Sequence, residues 1–255
     1  MPANYSHYQF GQEVYHLLEN ETIKSIINNH YDLYLIGLHG PDILFYHQPL
    51  KKNKIKTKGY KMHDQEAFDF FTKVVLNTDA TRAYMFGFLC HFVLDSTCHG
   101  YINECVEKTG RSHYQVEAAF EKYLMILKHV EYLNLNTAKH IVPNNENYQI
   151  IASVLEVEEI AIEKALNSMI YYHKLLVPGR YKDKIIRFAL TISRHGELKG
   201  LMLGQKTMAV DQKNNIDIYE LYNQAKPIAI RLIQNYDDFY HGVALLDDYF
   251  HKNYG

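Results

Sequence analysis

His91, Asp95 and His99 stand four residues apart in the run Gly87-Phe88-Leu89-Cys90-His91-Phe92-Val93-Leu94-Asp95-Ser96-Thr97-Cys98-His99. No other segment restricts the fold so tightly. Residues 79–106 read as one helix, and on a helix each step of four advances about 40° beyond a full turn. The three ligand-type side chains therefore line one face, with Phe88, Leu89, Phe92, Val93 and Leu94 around them. Burying two imidazoles and a carboxylate in such company is costly unless something pairs with them, and a divalent metal would do so. The bland alternative is two core histidines and an unrelated aspartate.

The rest of the chain carries helical periodicity. Ser6-x-x-Gln9 spells a capping box ahead of Phe10, Val14, Leu17 and Leu18. A short helix is expected over 22–29. The run 33–38 is either a buried helix turn or extended, and Gly40-Pro41 breaks it. Residues 48–61, with Pro49 and many lysines, read as a loop. Helices follow at 63–76, 79–106 and 112–133, then a loop over 134–147, then amphipathic helices near 155–177, 181–194 and 216–250. Pro227 should start or kink the last group. No strand alternation and no linker stands out. The expectation is an all-α fold, a multi-helix bundle forming one domain over 1–255.

Further ligand types stand at helix starts. Ser112-His113-Tyr114-Gln115-Val116-Glu117 spells a second capping box, putting His113 first in its helix and Glu117 one turn on, facing the same way. A histidine with a carboxylate at i+4 is a good chelate. The tetrad Ser-His-Tyr-Gln recurs at residues 6–9 and would place His7 likewise. Asp42 follows Gly40-Pro41, where it is either a cap or a site residue. His63-Asp64 is expected to open a helix.

Composition narrows the function classes. A formal net charge of -2 gives no global attraction to nucleic acid or membrane, and no nucleic-acid motif stands out. Three cysteines, Cys90, Cys98 and Cys105, argue against a disulfide framework and for buried thiols. No leader is visible at Met1 and no stretch is apolar enough to span a membrane, so the expected location is cytoplasmic. Lys51, Lys52, Lys54, Lys56, Lys58 and Lys61 crowd the segment between Asp42 and His63. They would steer an anionic substrate or membrane, or merely solvate a loop. Tyr46, Tyr60, Tyr101 and Tyr114 lie near the motifs and either stack on a base or pack in the core.

An early histidine, a Gly-Pro-Asp loop, a histidine about twenty residues on, His-x3-Asp-x3-His and His-x3-Glu together resemble the bacterial zinc-dependent phospholipase C family, whose fold is shared with the single-strand-specific P1-type nucleases. The resemblance runs from His7 to about Glu121. It implies a zinc-dependent phosphoester hydrolase, acting on a phosphoester substrate such as a phospholipid through metal-activated water. His63, His91 and Asp95 would hold a first zinc. His99, His113 and Glu117 would hold a second. His7 would bind a third, with Asp95 bridging. Asp42 matches the family's acidic residue beside the cluster, which orients or deprotonates the attacking water and in the nucleases also ligates metal. Two departures stand out: no tryptophan exists to open the mature chain, and Asp95 and His99 are closer together than in the secreted phospholipases. Two other readings compete. One is a nuclease or a histidine–aspartate phosphohydrolase, and the latter, centred on His63-Asp64, leaves His99, His113 and Glu117 unexplained. A non-catalytic metal scaffold leaves Asp42 unexplained.

Overall fold

Helix starts along the chain are written in its small polar residues. Asn20, Asn53, Thr78, Ser112 and Asn144 each sit in extended backbone and accept a hydrogen bond from an amide in the turn that follows. Such caps satisfy amides that no intrahelical carbonyl can reach. The computed structural model describes residues 4–133, 135–177, 179, 182–192, 196–203 and 208–255. Its helices are α1 Asn4–Leu17, α2 Glu21–Asn29, α3 Tyr31–Gly37, α4 Lys54–Asp64, α5 Ala67–Lys73, α6 Asp79–Thr109, α7 His113–Leu127, α8 Asn145–Val154, α9 Glu159–Leu176, α10 Lys182–Ile192 and α11 Ala209–Tyr240. Short 3-10 turns cover Gly40–Tyr46, Gly196–Leu201 and Asp248–His251. Among the described residues there is no strand, and no helix is long and apolar enough to cross a membrane. The fold is an all-α multi-helix bundle.

The bundle is organised around α6. Every residue from Ala80 to Asp95 is buried, as expected of a helix apolar on all sides. Helices α1, α2, α3, α7, α8 and α11 all pack on it. The tightest contact is with α3. A Cβ at Gly37 would lie 2.2 Å from the Tyr84 carbonyl oxygen, and one at Gly87 would lie 2.1 Å from that of Tyr34. The two backbones meet where only glycine fits. Helix α11 brings the C-terminal part of the chain onto α6, α7 and α1, and Tyr222 and Tyr236 are fully buried there.

Several boundaries differ from the sequence expectation. The lysine-rich segment 48–61 is not all loop: α4 starts at Lys54, because Asn53 accepts the Lys56 amide proton. His63 thus closes a helix rather than opening one. The expected helix 63–76 is interrupted at extended Gln65 and Glu66, and the Ala67 amide bonds to the Lys252 carbonyl instead. Helix α7 stops at Leu127, where His129 turns into the left-handed region at φ 57. The loop expected over 134–147 gives way to α8 at Asn145, and 155–177 shortens to α9 behind a left-handed Glu156. The expected 216–250 helix runs over Ala209–Tyr240, with Pro227 inside it. The ends of the expected 181–194 helix, Tyr181, Ser193 and Arg194, lie outside the described residues, as do Met1 and Asn134.

Residue Ser6 caps nothing. Helix α1 already runs from Asn4, and its early amides are satisfied from another helix, the Glu121 carboxylate of α7 accepting the Tyr5 amide proton.

Candidate metal centre

Five elements deliver the eight expected residues to one place. His7 comes from α1, Asp42 from the 3-10 turn Gly40–Tyr46, and His63 from the last turn of α4. Helix α6 supplies His91, Asp95 and His99, and the start of α7 supplies His113 and Glu117. Asp95 lies at the middle. Its carboxylate oxygens are 3.1 Å from His7 Nε2, 3.1 Å from His91 Nε2, 3.7 Å from His99 Nε2 and 3.9 Å from His63 Nε2. On one side Asp42 Oδ1 is 3.0 Å from His63 Nε2. On the other Glu117 Oε1 is 2.8 Å from His113 Nε2 and 3.5 Å from His99 Nε2. Three groups have ligand atoms close enough to share an ion: His7, His91 and Asp95; Asp42, His63 and His91; His99, His113 and Glu117.

Local backbone explains the convergence. Gly40 has φ +47, and a Cβ there would lie 2.3 Å from His91 Cδ2. Glycine is therefore required twice over, for the left-handed turn and for the imidazole beneath it. The turn it starts brings Asp42 against His63. Glu117 stands at i+4 from His113, and the capping box at Ser112 and Gln115 forms as expected, fixing the first turn of α7.

The tautomers show what the site requires. His63 Nδ1 lies 2.8 Å from the Gly59 carbonyl oxygen, and His99 Nδ1 lies 2.9 Å from that of Tyr254. A carbonyl only accepts, so both Nδ1 atoms carry the proton. In a neutral ring Nε2 then presents a lone pair, here toward the carboxylates of Asp42, Asp95 and Glu117. Lone pair against anion is repulsive, and only a cation between them reconciles the arrangement. In the metal-free chain a proton takes that place: burial pulls His99 down, but Asp95 and Glu117 outweigh it and push the ring up to about 9. Burial pushes Glu117 up, but His113 and His99 hold it down at about 2. Asp95, buried as it is, is held well below the usual carboxylate range by His99, His91 and His7. Burial pushes Asp42 up as well, but the His63 imidazole beside it outweighs that and lowers its carboxyl.

Unsatisfied atoms say the same. His91 Nε2, His99 Nε2, Asp42 Oδ1, Asp95 Oδ2 and Glu117 Oε2 are buried and make no hydrogen bond among the described residues. Buried polar atoms left unpaired are rare and costly. Here they face one another, and imidazole nitrogens with carboxylate oxygens are the donor set that suits zinc. The residues present fit that ion.

Residues outside the sequence expectation complete the surroundings. The Gly59 and Tyr254 carbonyls orient two of the imidazoles, a role common around metal sites. No side-chain pattern could have announced a carbonyl. Glu121 lies one turn beyond Glu117 on the same helix face. Burial pushes its carboxyl up to about 8. His173 is held on both sides, Nε2 at 2.7 Å from the Tyr46 hydroxyl and Nδ1 at 2.8 Å from Thr137 Oγ1. Of the tyrosines near the motifs, Tyr101 pairs with Asp217 away from the site, whereas Tyr46, Tyr60 and Tyr114 line the cavity beside Glu117. Of the lysines, Lys58 pairs with Glu156 and Lys56 donates to the Pro49 carbonyl, while Lys51, Lys52, Lys54 and Lys61 are exposed.

A family model described as zinc dependent phospholipase C matches residues 6–169, a span that contains all eight convergent residues and ends inside α9. No curated protein and no solved structure matches the chain.

Proposed function

The chain belongs to the zinc-dependent phospholipase C family, and from that premise we propose that it hydrolyses phosphodiesters of the phospholipid type. One observation carries the reading: lone pairs of carbonyl-anchored imidazoles and buried carboxylate oxygens are aimed at the same few ångströms of space. In the proposal His99, His113 and Glu117 hold one zinc ion. His63, His91 and Asp95 hold a second, with His7 and Asp42 at its margin and Asp95 shared. Zinc bound there lowers the pKa of water toward 7 and offsets the negative charge of a phosphoester.

The chain's own residues do the rest. Asp42 is an acceptor at the edge of the cluster, its carboxylate kept ionised by His63. It orients the attacking water and takes its proton. The carbonyls of Gly59 and Tyr254 keep two rings from rotating, so the cluster needs little rearrangement on binding. As α11 packs on α6, α7 and α1, the part of the chain beyond the matched span completes the same domain in this proposal.

Two measurements on one sample test it. Protein purified without chelator should carry at least two zinc ions per chain by elemental analysis and turn over an aryl phosphodiester. One ion or fewer, or no turnover by the zinc-loaded chain, would overturn the reading. Asp42→Asn should keep its metal and lose about 10²–10⁴-fold in turnover, the usual worth of a general base. Loss of metal together with turnover would make Asp42 a ligand, which its grouping with His63 and His91 also allows.

A further inference from the structure

Against Glu117 lies a cavity of about 440 Å³ that the metal chemistry does not use. Its body is aliphatic: Leu175 and Leu176 from the end of α9, Ile186 and Leu190 from α10, and Leu201 and Leu203 from the segment after it. Several of the polar side chains in its lining are already engaged. His173 is bonded at both nitrogens, Thr137 Oγ1 is one of its partners, and Asn4 Nδ2 donates to the Thr137 carbonyl at 2.7 Å. Glu121 accepts the amide of Tyr5. Glu117 is different: its Oε2 is buried without a hydrogen bond, and its other oxygen belongs to the metal set. What fills this space thus meets mostly aliphatic walls, with an unsatisfied carboxylate oxygen at Glu117.

Size selects among such ligands. An apolar cavity of about 150 Å³ already holds benzene, so 440 Å³ has room for roughly three times as much. That is one acyl chain of ordinary length and not two. The wall formed by α10 fits a lipid origin. Its inner face lines the cavity, while Ile185, Phe188 and Ile192 on its outer face are each 68% exposed. The apolar side chains of α10 cover one broad arc that runs from the cavity to the outside, with Lys184 and Arg187 on the remaining arc, a pattern at home at a lipid surface.

We propose that this cavity binds the single hydrocarbon tail of the substrate, so that the preferred phosphoester is single-tailed, of the lysophospholipid type. The inference rests on the phosphodiesterase reading above and adds the substrate class. The phosphodiester sits at Glu117 and its neighbours, and the tail runs beneath α10 toward Leu203.

The test is binding, independent of turnover. The full chain as purified is titrated calorimetrically with non-hydrolysable phosphonate analogues of lysophosphatidylcholine of increasing chain length, each below its micelle concentration. Affinity should rise about fourfold per added methylene, the equivalent of about 0.8 kcal/mol of buried CH₂, and then level off when the cavity is full. Leu176→Trp should bring the plateau to a shorter chain and weaken the longest ligand at least tenfold. If that variant does not fold, judged by helical circular dichroism, Leu190→Trp from the opposite wall makes the same test. Affinity that ignores chain length, a plateau that neither substitution moves, or equal binding of a two-tailed lipid with the same carbon count would overturn the proposal. Hydrolysis of a tail-free aryl phosphodiester by the unsubstituted chain is scored separately. Turnover there without chain-length dependence removes the cavity proposal and leaves the phosphodiesterase reading standing.

Discussion

The two ends of the ligand cluster are built differently. Around Asp95 the side chains of His7 and His91 are 2% and 0% exposed and come from the centre of the bundle. At the other end His113 is 32% exposed, on the first residue of α7, and Glu117 one turn on lines the apolar cavity. The first end is part of the hydrophobic core and is held by everything that packs on α6. The second is a helix start with solvent on one side. Core packing thus fixes where one set of ligands stands, and a cap with two residues fixes the other. Metal at the Asp95 end should be inseparable from folding. At the His113 end it should exchange more easily, close to where a substrate arrives.

The largest effect expected from this contrast is at Asp95. Asp95→Asn removes the one anion that faces four imidazoles. Breaking a buried charged network by deleting one partner costs about 3–5 kcal/mol, and the metal lost should exceed one ion per chain. Denaturant melts and elemental analysis of the same preparation read both numbers. A variant that loses one ion and little stability would make Asp95 an ordinary ligand rather than a shared one.

Next is Glu117→Gln, which should cost one ion and leave the Asp95 end occupied. Adding zinc at about a hundred times its Kd stabilises a native site by about 2.7 kcal/mol. The variant should lose that increment for a single site. Losing the zinc at both ends would show that the two are one cooperative unit and would dissolve the comparison.

A smaller effect separates the core from the cavity wall. Burial pushes His140 down to about 3, helped by His173, and pushes His173 down to about 4. The unfolded values are near 6.5. As the folded values lie below these, acid favours the unfolded chain, which binds the extra protons. Stability should be full above pH 6.5 and fall progressively toward pH 4, by about 1.5 kcal/mol per imidazole between pH 6.5 and 5. The measurement belongs in chelator, where metal release cannot add to it. A His173→Gln variant should show a shallower slope, and an unchanged slope would mean that these rings are protonated in the fold.

How much of this was legible in the sequence depended on where the physics lay. Local signals held where the partner was local. The i, i+4, i+8 spacing on α6 and the capping box at Ser112 both appear as read. The same four residues at 6–9 misled, because α1 begins upstream of Ser6 and a carboxylate from α7, 116 residues from Tyr5, satisfies its amide. No window around Ser6 contains that information. His63 was expected to open a helix and instead closes one, since proline and lysines suggested a loop where Asn53 supplies a cap. Glu121 could have been found, because it continues the helix face that Glu117 starts. The carbonyls that anchor His63 and His99, and the cavity walled by α9 and α10, required tertiary placement.

The smallest expected effect is at His113, and it is the sharpest test of the contrast between the two ends. His113→Ala removes a ligand without leaving a buried hole, because its ring is already partly in water. Alanine is also the better helix former, so the metal-free protein gains a little on losing the ring. Against this, Glu117 loses its nearest partner but keeps His99. The two terms are of similar size, and the melt in chelator should move by no more than about 1 kcal/mol. With zinc present, water can complete the coordination, so metal content at saturating zinc should be unchanged while affinity for that ion falls. Titration with a competing chelator reads the affinity directly. If His113→Ala destabilises the metal-free protein as much as Asp95→Asn, then the start of α7 is as rigidly built as the core, and exposure is a poor guide to which zinc exchanges.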